Sequence, residues 1–212
     1  MSNHQRGYQR DSLILETIEQ WKVLDTEQIR LMFFRGSSQS HHLAQRRLLT
    51  LCKRLRLKRD RDSMDRPYYY YTQRQGQASH RLGVNWVRLW LMRNLKSWEV
   101  LHSFEYEVDY GTLRCDGFAA IKNKVTGKMT FCFIEFDNSL TNPFDKIEKY
   151  NKIFERQPSM WWTELTERFP AVIVVTTGRQ KSIMAKIQKE NTNGLEFRVH
   201  DLDEIRVQCD KA

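Results

Sequence analysis

The stretch that decides the fold is 112–150, which contains LRCDGFAAI (113–121), NKVTG (123–127), MTFCFIEFDN (129–138) and PFDKIEKY (143–150). Two apolar runs separated by an Asn- and Gly-containing turn read as a strand, a hairpin turn and a second strand. Pro143 suits the first turn of a helix, which the pattern carries to Glu155. Asp116 falls in the first of these strands, and Glu135 and Asp137 fall at the end of the second. Side chains alternate along a strand, so Glu135 and Asp137 are expected on one side of it. Lys146 and Tyr150 are four apart and share a helical face. Three carboxylates gathered in this way need a divalent cation, raised pKa values or a positive neighbour, and Lys146 or Lys149 is placed to be that neighbour.

Working outward, Val100, Leu101, Phe104, Tyr106 and Val108 alternate as another strand, turned by Gly111 into the next. The run AVIVVTT (171–177) has the continuous apolarity of a strand buried on both faces. A helix over 180–190 and a last strand over 195–199 follow. Upstream, 79–96 reads as a helix with Val84, Val87, Leu91 and Leu95 on one face. Trp86, Leu89 and Trp90 widen that stripe, so the helix is expected to be covered on two sides. The second cover is either the preceding domain or another copy of the chain, which makes a homodimer a candidate assembly. The order of helix, three strands, helix, strand, helix and strand makes 77–212 an α/β domain with a mixed sheet. The polar break at 75–77 sets its start.

The first third is different in charge. Of a net +9, residues 1–76 hold 15 Lys/Arg against 8 Asp/Glu, and residues 77–212 hold 20 against 18. The asymmetry argues for a polyanionic partner, most commonly nucleic acid. Residues 1–10 read as a disordered tail. Asp11 or Ser12 is expected to cap a helix to about Trp21, with Leu15, Ile18 and Trp21 or Lys22 on one face. Asp25 or Thr26 starts a second, with Ile29, Met32 and Phe33 inward and Gly36 at its end. Ser37 or Ser38 opens a third, with Ala44, Leu48, Leu51 and Leu55 inward. LRLKRDR (55–61) and YYYYT (68–72) read as strands about a turn. This order, helix-helix-helix then a basic hairpin, resembles the winged helix-turn-helix family over 11–75.

Residues 46–61 carry eight basic side chains (Arg46, Arg47, Lys53, Arg54, Arg56, Lys58, Arg59 and Arg61) and one acid, Asp60. Such a stripe neutralises phosphates and makes affinity fall with salt. In winged helices the third helix enters the major groove, so the resemblance makes Gln39, His41, His42 and Gln45 the candidates for base edges. The same residues also suit a solvated charged face used for protein contacts.

No apolar run is long enough to span a bilayer and no apolar signal core is present, so a cytoplasmic location is expected. Cys52, Cys115, Cys132 and Cys209 are scattered without metal-ligand spacing, which argues against zinc and against a disulfide framework. His41 and His42 are adjacent, diverge by about 100° on a helix and do not suit one metal.

CD at 115–116 and EFD at 135–137, in this order of elements, resemble the PD-(D/E)xK nuclease superfamily and its restriction-endonuclease-like α/β fold. More narrowly, DGF (116–118), FIEFDN (133–138) and KIEKY (146–150), after a winged helix, look like the replication-relaxation family of plasmids and other mobile elements. The resemblance implies a double-stranded DNA-binding protein acting in replication, transfer or their regulation. It further makes a replication or relaxase protein a candidate partner, beside the second copy of the chain suggested by the helix over 79–96. It also sets a departure: the superfamily's strand lysine is replaced by Asp137. If the centre is active, Asp116, Glu135 and Asp137 hold Mg²⁺ or Mn²⁺, and Lys146 takes the missing lysine's role. If not, the domain is a scaffold or dimeriser whose carboxylates are neutralised by a salt bridge.

Overall fold

The computed structural model describes residues 3–36, 38–138 and 143–211. Among them the chain is mixed α/β, with seven α-helices and a five-stranded mixed sheet. It forms two compact units, 1–85 and 86–212.

In the first unit, α1 (Asn3–Trp21) buries Asp11, Ile14, Ile18 and Trp21, spaced three, four and three apart. The expected tail is corrected over 3–10, which are helical, and Asp11 is not a cap but a mid-helix residue only 6% exposed. The reason lies 36 residues away: the Asp11 carboxylate forms a two-point ion pair with Arg47. Leu15 is only half-buried, one step off the inward line. After β1 (Leu24–Asp25), Asp25 caps α2 (Thr26–Phe33) through a full capping box. Gln28 N–H donates to Asp25 Oδ1 at 2.7 Å, and Asp25 N–H donates to Gln28 Oε1 at 3.0 Å. The buried members of α2 are Thr26, Gln28, Ile29 and Leu31, whereas Met32 and Phe33 are half-buried, because this two-turn helix is enclosed on more than one face.

The third helix, α3 (Ser40–Lys53), starts later than expected; Ser38 precedes it and Ser37 lies outside the described residues. Ala44, Leu48 and Leu51 face inward, but Leu55 does not. The helix has ended, and Leu55 takes a left-handed φ of 55° and is 92% exposed, while Leu57 turns into the core. Two short strands follow, β2 (Lys58–Asp60) and β3 (Tyr69–Tyr71). They join β1 in an antiparallel sheet of order β1-β3-β2. Tyr70 faces the core, and Tyr69 and Tyr71 lie together on the other face with ring centroids 6.2 Å apart.

The boundary between the units falls at 85/86, inside α4 (Ala78–Asn94), and not in the polar break near 76. Val84, Trp86, Val87, Leu89 and Leu91 of this helix are buried, and Trp90 and Leu95 of the expected stripe are half-buried. Asn85, on the same helix, donates to Trp21 O and Val23 O.

The second unit is built on β4 (Glu99–Tyr106), β5 (Gly117–Asn123), β6 (Met129–Asp137), β7 (Ala171–Thr176) and β8 (Phe197–Asp201), in that spatial order. β4 to β6 are antiparallel, and β6 to β8 are parallel. The NKVTG turn closes through Asn123, whose Oδ1 accepts from Val125 and Thr126 N–H, and Gly127 supplies the positive φ. One face of the sheet packs Phe118, Phe131, Phe133 and Val174 against Ile147, Tyr150 and Ile153 of α5 (Ile147–Glu155), with Trp162 and with Ile183 of α6 (Gln180–Glu190). A C-terminal α7 (Leu202–Lys211), absent from the sequence expectation, buries Leu202, Ile205 and Cys209. Two boundaries near the carboxylates also move. Asp116 lies one residue before β5, and α5 begins at Ile147, so Pro143 lies four residues before the helix, outside any regular element.

Candidate nucleic-acid surface and carboxylate pocket

In the first unit the basic residues divide into free and engaged. Arg46, Lys53, Arg54, Arg56, Lys58 and Arg59 are exposed. Arg47 is corrected: its guanidinium is taken by Asp11, which raises its pKa further and gives it a structural task. Arg59 and Arg61 both lie over the Tyr68 ring, at 4.4 and 4.9 Å from its centroid, so the hairpin arms are stiffened by cation–π contact. Arg61 also donates to Met64 O at 3.1 Å. Of the base-edge candidates, Gln39 is the residue before α3, and His41 Nδ1 lies 3.2 Å from Glu27, which also holds Arg30. His42 and Gln45 are exposed on the same outer side as Arg46.

In the second unit the strand register does the positioning. Gly117 pairs with Ile134, so Asp116 arrives beside Glu135. Phe136 N–H donates to Asp116 Oδ2 at 2.7 Å, which ties the carboxylate to the β6 backbone. Lys146 is the N-cap residue of α5 and not on its first turn, but Tyr150 N–H still donates to Lys146 O, so the two side chains keep a common face. The Lys146 ammonium donates to Glu135 Oε2, to Asp116 Oδ1 at 3.3 Å and to Arg114 O at 3.2 Å. Tyr150 OH donates to Glu135 Oε1 at 2.5 Å. Lys149 is not the neutralising lysine, because it pairs with Asp145.

The electrostatics follow from burial. Glu135 is 1% exposed, and burial pushes its pKa up to about 8, with Asp116 acting in the same direction against Lys146 and Tyr150. Burial lowers the Lys146 pKa, but Glu135 and Asp116 outweigh it and hold the ammonium charged. Burial likewise drives Cys115 up to about 12 and Tyr150 well above its usual value, so neither is a nucleophile at neutral pH.

Asp137 is corrected as a member of this group. Its carboxylate accepts from Thr176 Oγ1 at 3.3 Å, across the register from it, and pairs with Arg179 at 3.3 Å. Strand alternation alone could not show this, because Thr176 ends the next strand and Arg179 lies three residues beyond it, before α6. Among the described residues no group of three or more His, Cys, Asp and Glu side chains is gathered to hold a metal ion. As arranged, Asp116 and Glu135 do not fit Mg²⁺ or Mn²⁺, because an ammonium ion sits where their oxygens converge.

No family model, curated protein or solved structure matches the chain. Among the described residues no helix is long and apolar enough to cross a membrane.

Proposed function

We propose that this protein binds double-stranded DNA through a winged helix in its first unit, and that the nuclease-like second unit is an inactive scaffold. The observation that carries the reading is the exposed basic run from Arg46 through Lys53, Arg54 and Arg56 to Lys58 and Arg59, at the end of α3 and the start of the hairpin. α3 presents His42 and Gln45 on its solvent side for base edges, and the hairpin presents cations for the backbone. A role in the replication, transfer or regulation of a mobile element rests on the sequence resemblance. Binding is tested by gel shift with mixed duplex DNA at low salt. A complex that dissolves as salt rises is expected; no complex at any ionic strength overturns the proposal.

A second reading is favoured by one observation, the convergence of Lys146 on Asp116 and Glu135. There the lysine has moved from strand to helix cap and the protein is an endonuclease. Incubating supercoiled plasmid with Mn²⁺ separates the two readings. Intact plasmid supports the scaffold, and nicking lost in Glu135→Ala supports the enzyme. The closed Glu135 pocket, with both carboxylate oxygens already bonded within the chain, favours the scaffold.

A further inference from the structure

A recess of about 210 Å³ opens in the first unit, lined by Arg10 of α1, Phe34 just after α2, and Leu43, Arg46, Arg47 and Thr50 of α3. Three arginines line it, and one carboxylate, that of Asp11, answers them. Arg47 is neutralised by Asp11, and the hydroxyl of Thr50 is spent on Arg46 O. Arg10 and Arg46 therefore leave two positive charges at the recess. The Arg10 guanidinium carbon lies over the Phe34 ring, 4.6 Å from its centroid, a cation–π contact that holds the side chain there. Its Nε is buried and has no hydrogen-bond partner within the chain. A buried donor without an acceptor is uncommon, and a guanidinium held over an aromatic ring offers its other N–H groups as a planar fork. The ligand that satisfies such a fork is a tetrahedral oxyanion.

We infer that this recess binds a phosphate group, with Arg10 and Arg46 as its two cations and the Phe34 and Leu43 side chains as its dry wall. Arg46 stands between the recess and the outer side of α3 that carries His42 and Gln45. A backbone phosphate of bound duplex is thus the natural source, and that part rests on the proposed DNA binding. The phosphate would hold α1 as well as α3 to the strand and set the register without reading sequence. Arg10 lies in a stretch that the sequence reads as a disordered tail, so no charge count would have selected it.

Two arms test this with the full chain. In the first, inorganic phosphate is titrated into ¹⁵N-labelled protein at constant ionic strength, and the arginine Nε–H signals are followed. A saturable shift of the Arg10 signal, lost in Arg46→Met, is expected. No saturable shift overturns the recess as a phosphate site. In the second arm, duplex affinity is measured against salt for wild type, Arg10→Met and Arg46→Met. Methionine keeps the apolar stem over Phe34, and the thermal midpoint checks that each variant folds. Arg10→Met should reduce the slope of log K against log salt by about 1, leaving the ranking of DNA sequences unchanged. An unchanged slope with a positive first arm assigns the site to free phosphate or a phosphomonoester and overturns the DNA source. Failure of all variants and wild type to bind duplex, with a positive first arm, overturns the DNA reading alone.

Discussion

Glu135 is a buried carboxyl whose environment moves it far from its water value. Its folded pKa, about 8, is above the ordinary 4.5, so it binds a proton more tightly folded than unfolded. The stability this contributes is present in full below the ordinary carboxyl range and is lost as pH rises through about 8. Wild type should therefore lose stability relative to Glu135→Gln between pH 5 and pH 8, by up to about 1 kcal/mol per pH unit. Denaturant melts at several pH values check this, and a pH-independent difference would refute it. His200 titrates lower still, because burial depresses it, and the comparison of variants cancels its effect. Lys146→Met leaves Asp116 and Glu135 without their cation. A loss of about 3 kcal/mol is expected at pH 8 and a smaller one at pH 5, where Glu135 is protonated in either case. Equal losses at the two pH values would mean that the lysine acts through packing alone.

Elements show which local signals survive packing. The helix start expected at Asp25 or Thr26 holds, because Asp25 and Gln28, three apart, form both hydrogen bonds of a capping box. Asp25→Ala should lower stability by about 1 kcal/mol or somewhat more, since a buried backbone N–H loses its acceptor; chemical denaturation measures it. In β5, a Cβ on Gly117 would lie 3.0 Å from the Phe104 ring and 3.3 Å from Ile134 Cβ. Gly117→Val should therefore cost about 1–3 kcal/mol and disturb the adjacent Asp116. A midpoint unchanged from wild type would show that the Phe104 ring swings aside freely. Strands β6 and β7 lie where continuous apolar runs placed them, to within a residue, because a central strand is apolar on both faces and leaves no ambiguity. Helix starts moved more: α1 began eight residues early and α5 four late. A start depends on whether a side chain caps the helix or is drawn away, as Asp11 is by Arg47.

At the scale of the molecule, net charge divides between the units. Exposed cations occur on both, but the excess of positive charge lies on the first, and salt dependence is the property that reads it. Replacing Arg54 and Arg56 together by Ala should flatten the salt slope of duplex binding by about 2, measured by fluorescence anisotropy from 50 to 200 mM salt. An unchanged slope would place the phosphate contacts elsewhere. Composition and periodicity were enough to place a basic helical unit before an α/β unit with a mixed sheet. They also singled out Asp116, Glu135 and Asp137 as one group with Lys146 or Lys149 as its cation, since charge asymmetry, apolar period and motif order are properties of the chain alone. They could not tell that Asp137 leaves that group for Arg179 and Thr176, that Arg47 is spent on Asp11, or that Arg10 borders a recess with Arg46. Each of those outcomes is a contact between residues 36 to 42 positions apart, and the same short side chain satisfies whichever partner the folded backbone delivers first.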